Sequence, residues 1–333
     1  MTSVKLPSGI TSLGGRCFEM CESLRSVSLR DGITSLGNHC FADCNSLTSV
    51  DLPSSITSLG EDCFRYCSSL KSIKLPSSLT SLGKFCFEGC GIESIVLPDG
   101  ITSLGYHCFA DCSSLKSIKL PDGLTSLGEC CFFKCISLSS IDLPLGLISL
   151  GDGCFFGCSS LTSFKLPSNI TSLGNNVFAR CCNLKSIDLP DGLISIGDRC
   201  FEKCENLESI KLPLGITSLG KGCFSYCTGL ATIYMYAEQL PTMGSLFLFY
   251  NCDDVNCILY VPNGTIDMYR QSQFGYFKNI LELDATGINN PMTSTNLKEV
   301  SRYTVNGKRL TTPTKGVNVV KYNNGMVKKE LVK

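Results

Sequence analysis

The chain has 333 residues, 29 Lys+Arg against 29 Asp+Glu, a formal net charge of zero and only 17% charged residues. That balance lacks the basic excess of a nucleic-acid binder, and no run approaches the ~18 apolar residues of a membrane-spanning helix. Length does not count domains here, because a stack of short repeats grows by adding units.

From the first residues the chain is periodic. Ten times it writes Cys-Phe-x-x-Cys, then Leu, Ser-Ile/Val-x-Leu-Pro and Ile/Leu-x-Ser-Leu-Gly, with the Phe at 18, 41, 64, 87, 109, 132, 155, 178, 201 and 224. Every step is 23 residues except Phe87 to Phe109, which is 22. A short fixed period filled with apolar residues predicts a solenoid, in which each unit buries its face on its neighbours. Met1 leads directly into the strand Ser3-Val4-Lys5-Leu6-Pro7. A rung beginning mid-stack without a cap places the expected natural N-terminus, signal included, upstream.

Within a rung such as 70–89, Leu70, Ile73 and Leu75 have leucine-rich-repeat strand spacing, with Ile73 and Leu75 inward. Pro76 ends the strand because it has no N–H to donate. Leu79 and Leu82 return to the core. Gly83 is expected to bend the chain into a short helical turn, Lys84 to Gly89, that buries Phe87. The predicted fold is thus a leucine-rich-repeat solenoid, with a parallel β-sheet on one face and turns and short helical pieces on the other.

Two outward rows follow on the sheet. One is almost all Ser, from Ser3 to Ser209 and then Thr232. The next reads Lys5, Ser28, Asp51, Lys74, Val96, Lys119, Asp142, Lys165, Asp188, Lys211 and Tyr234. Stacked rungs lie ~5 Å apart, so opposite charges on successive rungs contribute about 0.2–1 kcal/mol per pair. The row reads either as a self-neutralising register device or as a charged ligand track. For binding, the candidate residues are Lys74, Lys119, Asp142, Lys165, Asp188, Lys211 and Tyr234.

The 23 cysteines fall on two ladders, one just before the Phe and one three residues after it. Only Cys130, Cys182, Cys252 and Cys257 are expected off them. Val177 fills the pre-Phe slot once, so that slot behaves as a small buried apolar site, as free Cys usually does. Cys-x3-Cys is not a zinc-knuckle spacing, and no metal or cofactor is expected. Rung spacing also admits a few inter-rung disulfides.

After Cys227 the pattern changes. The segment 231–283 is aromatic, with Tyr269, Phe274, Tyr276 and Phe277 and a short helix expected over 265–271. It is expected to cap the open core, with a sugar-stacking platform as the alternative for its tyrosines. Residues 284–300 read as a polar linker. The tail 301–333 carries two hairpin signals, Tyr303 to Leu310 around Asn306-Gly307 and Val317 to Val332 around Asn323-Asn324-Gly325.

Chemistry is sparse. His39 and His107 share one variable rung slot that reads as surface, and no nucleophile–base arrangement or phosphate loop stands out. Asn169 and Asn263 begin glycosylation sequons, the first a mere rung variant. No enzyme activity is expected.

The rung consensus, read in residues 1–230, resembles the BspA-like leucine-rich repeats of Bacteroidetes surface proteins. Small departures are Arg30 for the usual Pro, the deletion before Ile92 and Cys where Ala often precedes Phe. The tail resembles a type IX secretion sorting domain through Asn306-Gly307-Lys308-Arg309, Lys315 to Val320 and the terminal Leu-Val-Lys, a plain β-module being the alternative. These resemblances imply an extracellular or outer-surface, adhesin-like protein that binds a host or microbial protein or glycan through its sheet face. They imply neither nucleic acid nor membrane insertion, and the chain reads as a monomer. The alternative is a structural surface spacer without a ligand of its own.

Overall fold

Alternation sets the first strand of each rung. In Ser26–Ser28, Ser94–Val96 and Ser117–Lys119 the central Val or Ile is buried, while its neighbours face solvent, as a pleated strand requires. These strands pair in parallel and in equal register, Ser on Ser and aliphatic on aliphatic. A second row of two-residue strands runs from Ser12–Leu13 to Thr242–Met243 and pairs the same way, Leu13 on Leu36 on Leu59. The computed structural model describes residues 2–7, 9–244, 247–283, 299–304, 308–310, 312–322 and 327–332. It is a parallel β-solenoid of about 12 turns with almost no helix, followed by a second unit, Leu283–Lys333.

The side opposite the sheet is built of turns. The helical turn expected over Lys84 to Gly89 does not form, because Phe85 and Gly89 take φ of 56° and 67°. The same left-handed pair, two residues before and two after the Phe, recurs at Arg16 and Met20, Asp62 and Tyr66, and Arg199 and Lys203. This conformation turns N–H groups along the solenoid axis. Phe85, Phe87 and Gly89 donate to the carbonyls of Tyr106, Cys108 and Ala110 in the next rung, at 3.0, 2.9 and 2.8 Å. A helical turn would have kept those donors within its own segment. Nor is glycine after the second-row Leu a bend. A Cβ on Gly37 would lie 2.6 Å from the carbonyl carbon of Gly14, and one on Gly60 2.6 Å from that of Gly37. Close approach of rung to rung demands glycine there.

The phenyl rings fill the core as one ladder, with successive centroids 5.2 Å apart at Phe18–Phe41 and no more than 5.8 Å anywhere. The ladder has an eleventh member that the period missed. Phe249 stacks on Phe224 at 5.6 Å and 9°, two residues late. Cys252 accordingly belongs to the post-Phe ladder and not outside it, since its Sγ donates to the Phe224 carbonyl at 3.1 Å. All ten steps of that ladder repeat this bond, as at Cys67 to Phe41 and Cys112 to Phe87. No such bond is made by the pre-Phe thiols among the described residues. All 23 cysteines are free.

Phe274 and Phe277 close the ladder against Phe249 at 5.4 and 4.8 Å, beside the helix Ile266–Arg270. The Tyr269 hydroxyl donates to the Ala237 carbonyl at 2.6 Å. This segment also lengthens the first row by Thr232–Met235, Ile258–Val261 and Asn279–Glu282. In the second unit Arg309–Leu310, Glu299–Thr304, Gly316–Tyr322 and Val327–Val332 form an antiparallel sheet in that order. The Asn306-Gly307 and Asn323-Asn324-Gly325 turns, Lys333 and linker residues 284–298 lie outside the described residues.

Candidate binding surface

The outward row of the first strands is continuous in sequence but not in the ladder. Lys119, Lys165, Asp188 and Lys211 sit exposed in strands. Lys74 and Asp142 are equally exposed, but residues 72–74 and 140–142 form no strand. Register places Lys165 beside Asp188 and Lys211 beside Tyr234. Among the described residues, however, no N···O separation of 4 Å or less joins any of these charges. The ion pairs on this face lie three residues earlier in the rung, where Glu93 is 3.9 Å from Lys71 and 3.0 Å from Lys116. Lys116 holds the Glu93 carboxyl below its ordinary range. The row therefore presents solvated charges of both signs, with Val96, 62% exposed, standing alone among them.

The row ends in aromatic rings. Tyr234 stacks on Tyr260 at 5.3 Å and 8°, and Lys211 Nζ stands 6.0 Å from the Tyr234 centroid. Rings stacked along the axis cover each other's faces, and Tyr260 is itself buried. A sugar ring needs an open face, so this column does not make the stacking platform considered for the tyrosines of this region.

The turn side carries a second cluster that the sequence reading took for plain surface. His39 lies 3.9 Å from Glu19 and 3.8 Å from Asp62. Asp62 Oδ1 is buried 3.3 Å from Arg65 Nε, yet without a hydrogen bond's geometry. Arg65 Nε donates instead to Glu88 Oε2 at 2.6 Å, and His107 Nδ1 is 3.4 Å from Glu88 Oε1. Phe85, His107, Phe133 and Phe156 then continue the line ring on ring. Burial raises the Asp62 carboxyl above its ordinary range, with His39 and Arg65 opposing. The signal was present: His39 and Asp62 share one slot on successive rungs, as do Arg65 and Glu88.

Neither surface holds a nucleophile beside a base. Burial pushes the thiols of Cys40, Cys44, Cys112, Cys200 and Cys252 up to about 12, so they stay protonated and serve as S–H donors or filler. Among the described residues no three His, Cys, Asp or Glu side chains are grouped to hold a metal.

Comparison with known proteins finds a repeat family and solenoids of similar fold. A family model described as "BspA type Leucine rich repeat region (6 copies)" matches residues 1–116, 80–193 and 173–311. The pneumococcal vaccine antigen PcpA is 18% identical, covering 84% of this chain and 82% of its own, with a TM-score of 0.51. A leucine-rich repeat protein from Eubacterium ventriosum is 22% identical over 78% of this chain and 73% of its own, with a TM-score of 0.50. A leucine rich cell surface protein from Faecalibacterium prausnitzii is 20% identical over 84% and 87%, with a TM-score of 0.46. No curated protein matches the chain.

Proposed function

This chain belongs to the BspA-type leucine-rich repeat family, and from that premise we propose that it is a non-enzymatic binding protein of a cell surface or the extracellular space. Its partner is an extracellular protein or glycan, held on the outward row of the sheet. One observation carries the reading. Lys119, Asp142, Lys165, Asp188 and Lys211 stand exposed at rung spacing on one face, and among the described residues no charged side chain within 4 Å neutralises them. A regular track of unpaired charges suits recognition spread over many rungs. Tyrosines whose faces are covered by stacking favour protein over glycan.

Location is part of the same proposal. Among the described residues no helix is long and apolar enough to cross a membrane. The antiparallel tail supports a terminal sorting module of the type IX kind, and the Faecalibacterium relative is named a cell surface protein. The test is binding of the full chain to extracellular-matrix proteins, mucins and glycans at physiological salt. A saturable partner lost on replacing Lys119, Lys165 and Lys211 by Glu is the expected result. Silence across the panel would leave the spacer reading in its place.

A further inference from the structure

We propose that the sheet face over the fourth to sixth rungs is a docking groove for an extended peptide segment with a carboxylate on each side of an aliphatic residue. This rests on the reading of the sheet face above and names the chemistry it takes. Three observations converge on the groove. The first-row ladder is open there: residues 72–74 form no strand, and Ser94–Val96 pairs only with Ser117–Lys119. Among the described residues the backbone of 72–75 makes no hydrogen bond, although buried or half-buried main chain ordinarily finds a partner. An open groove of about 840 Å³ lies over this break, lined by Ile73, Lys74, Leu75, Val96, Pro98 and Lys119 among others.

Charge then selects the occupant. Lys74 and Lys119 stand one rung to each side of Val96, and neither has an anion within 4 Å among the described residues. The adjacent Lys71, Glu93 and Lys116 are tied to one another, and Asp51 and Asp142 fall one rung further out. Two rung steps separate the lysine Cα atoms by about 10 Å. Residues i and i+4 of an extended chain are about 13 Å apart on the same face, a span two lysine stems cover by leaning outward. Residue i+2 then sits on Val96, over the opening that the missing strand leaves. The other breaks lack this character: the groove at 140–142 is about 290 Å³ and includes Asp122 and Asp142, and the opening between Ser186–Asp188 and Ser209–Leu212 is flanked by Asp188.

The probe is a fluorescein-labelled synthetic peptide, Gly-Ser-Asp-Thr-Val-Thr-Asp-Ser-Gly, titrated with the full chain and read by polarisation. Its control has both Asp replaced by Asn. Val96→Asp is a mild variant, because the same row already carries Asp51, Asp142 and Asp188. Saturable binding is expected, weakened at least about tenfold by Val96→Asp, by Lys74→Glu with Lys119→Glu, and in the Asn control. Lys84→Glu with Lys221→Glu, exposed on the turn side, should leave it unchanged. No binding by the wild-type chain, or equal binding by Val96→Asp, overturns the groove. A matrix protein retained by Val96→Asp while the peptide fails would sink the groove alone. Peptide binding alongside a silent panel would uphold the groove and sink the broader reading.

Discussion

The two cysteine ladders look alike in sequence, yet the structure gives them opposite tolerances, and one rung suffices to test this. Cys108 and Cys112 flank Phe109, and both are fully buried. Cys112 Sγ donates to the Phe87 carbonyl at 3.0 Å, which already accepts the Cys90 N–H at 3.1 Å. Cys108 makes no such bond. Serine at 112 keeps a donor aimed at a waiting acceptor and loses mainly sulfur's volume, costing ~1 kcal/mol. Serine at 108 adds the cost of burying an unpaired hydroxyl, ~1–3 kcal/mol. Cys108→Ser should therefore be the worse by ~1–2 kcal/mol. Cys108→Val should fall within ~1 kcal/mol of wild type, because Val177 fills the same slot two Phe-ladder positions past Phe132. The assay is urea unfolding of all three variants in reductant, with amide exchange on the fifth rung, because long repeat arrays need not unfold in one step. Equal losses at 108 and 112, within ~0.5 kcal/mol, would refute the donor role.

Thiol reagents should find few targets in the native chain: Cys17 promptly, Cys21, Cys130 and Cys182 slowly, and all 23 only on unfolding. More than four native thiols reacting would contradict the burial. Asp62→Asn should gain on wild type as pH rises. A folded pKa raised by burial gives stability that is present below the ordinary carboxylate range and is lost as pH climbs through the folded value. The Tm difference between the two proteins should therefore widen from pH 3.5 to 7, and a constant or reversed difference would count against it. At Arg199, exposed at φ 53°, Gly should stabilise by ~0.5–1 kcal/mol, since relief of ~1–2 kcal/mol of left-handed strain exceeds glycine's added chain entropy. Arg199→Val should lower Tm, and the opposite order would show that the rung conformation carries no strain.

What the period discloses is neighbours. Side chains in the same slot of consecutive rungs must touch, so the phenyl ladder, the inward aliphatics and even the His39–Asp62 and Arg65–Glu88 contacts were legible once aligned. It does not disclose conformation. The left-handed residues beside each Phe are Arg, His, Phe, Lys and Tyr more often than Gly or Asn, so residue type gave no hint. Their φ is imposed by the N–H groups reaching the next rung, a property of the stack and not of the segment. Irregularity was the other blind spot. Phe249 escaped because its step is two residues longer than the period, although its slot, its ring stack and its Cys252 bond match every rung before it. The short step before Phe109 was visible, but its consequence was not. Losing one residue between Cys90 and Ile92 brings Gly91 against the Ser68 carbonyl, where a Cβ could not fit, and the neighbouring segment 72–74 forms no strand. In a repeat protein the rungs that keep the period build the scaffold, and departures from it are where a surface distinct from the other rungs can arise. The groove around Val96 lies at such a departure.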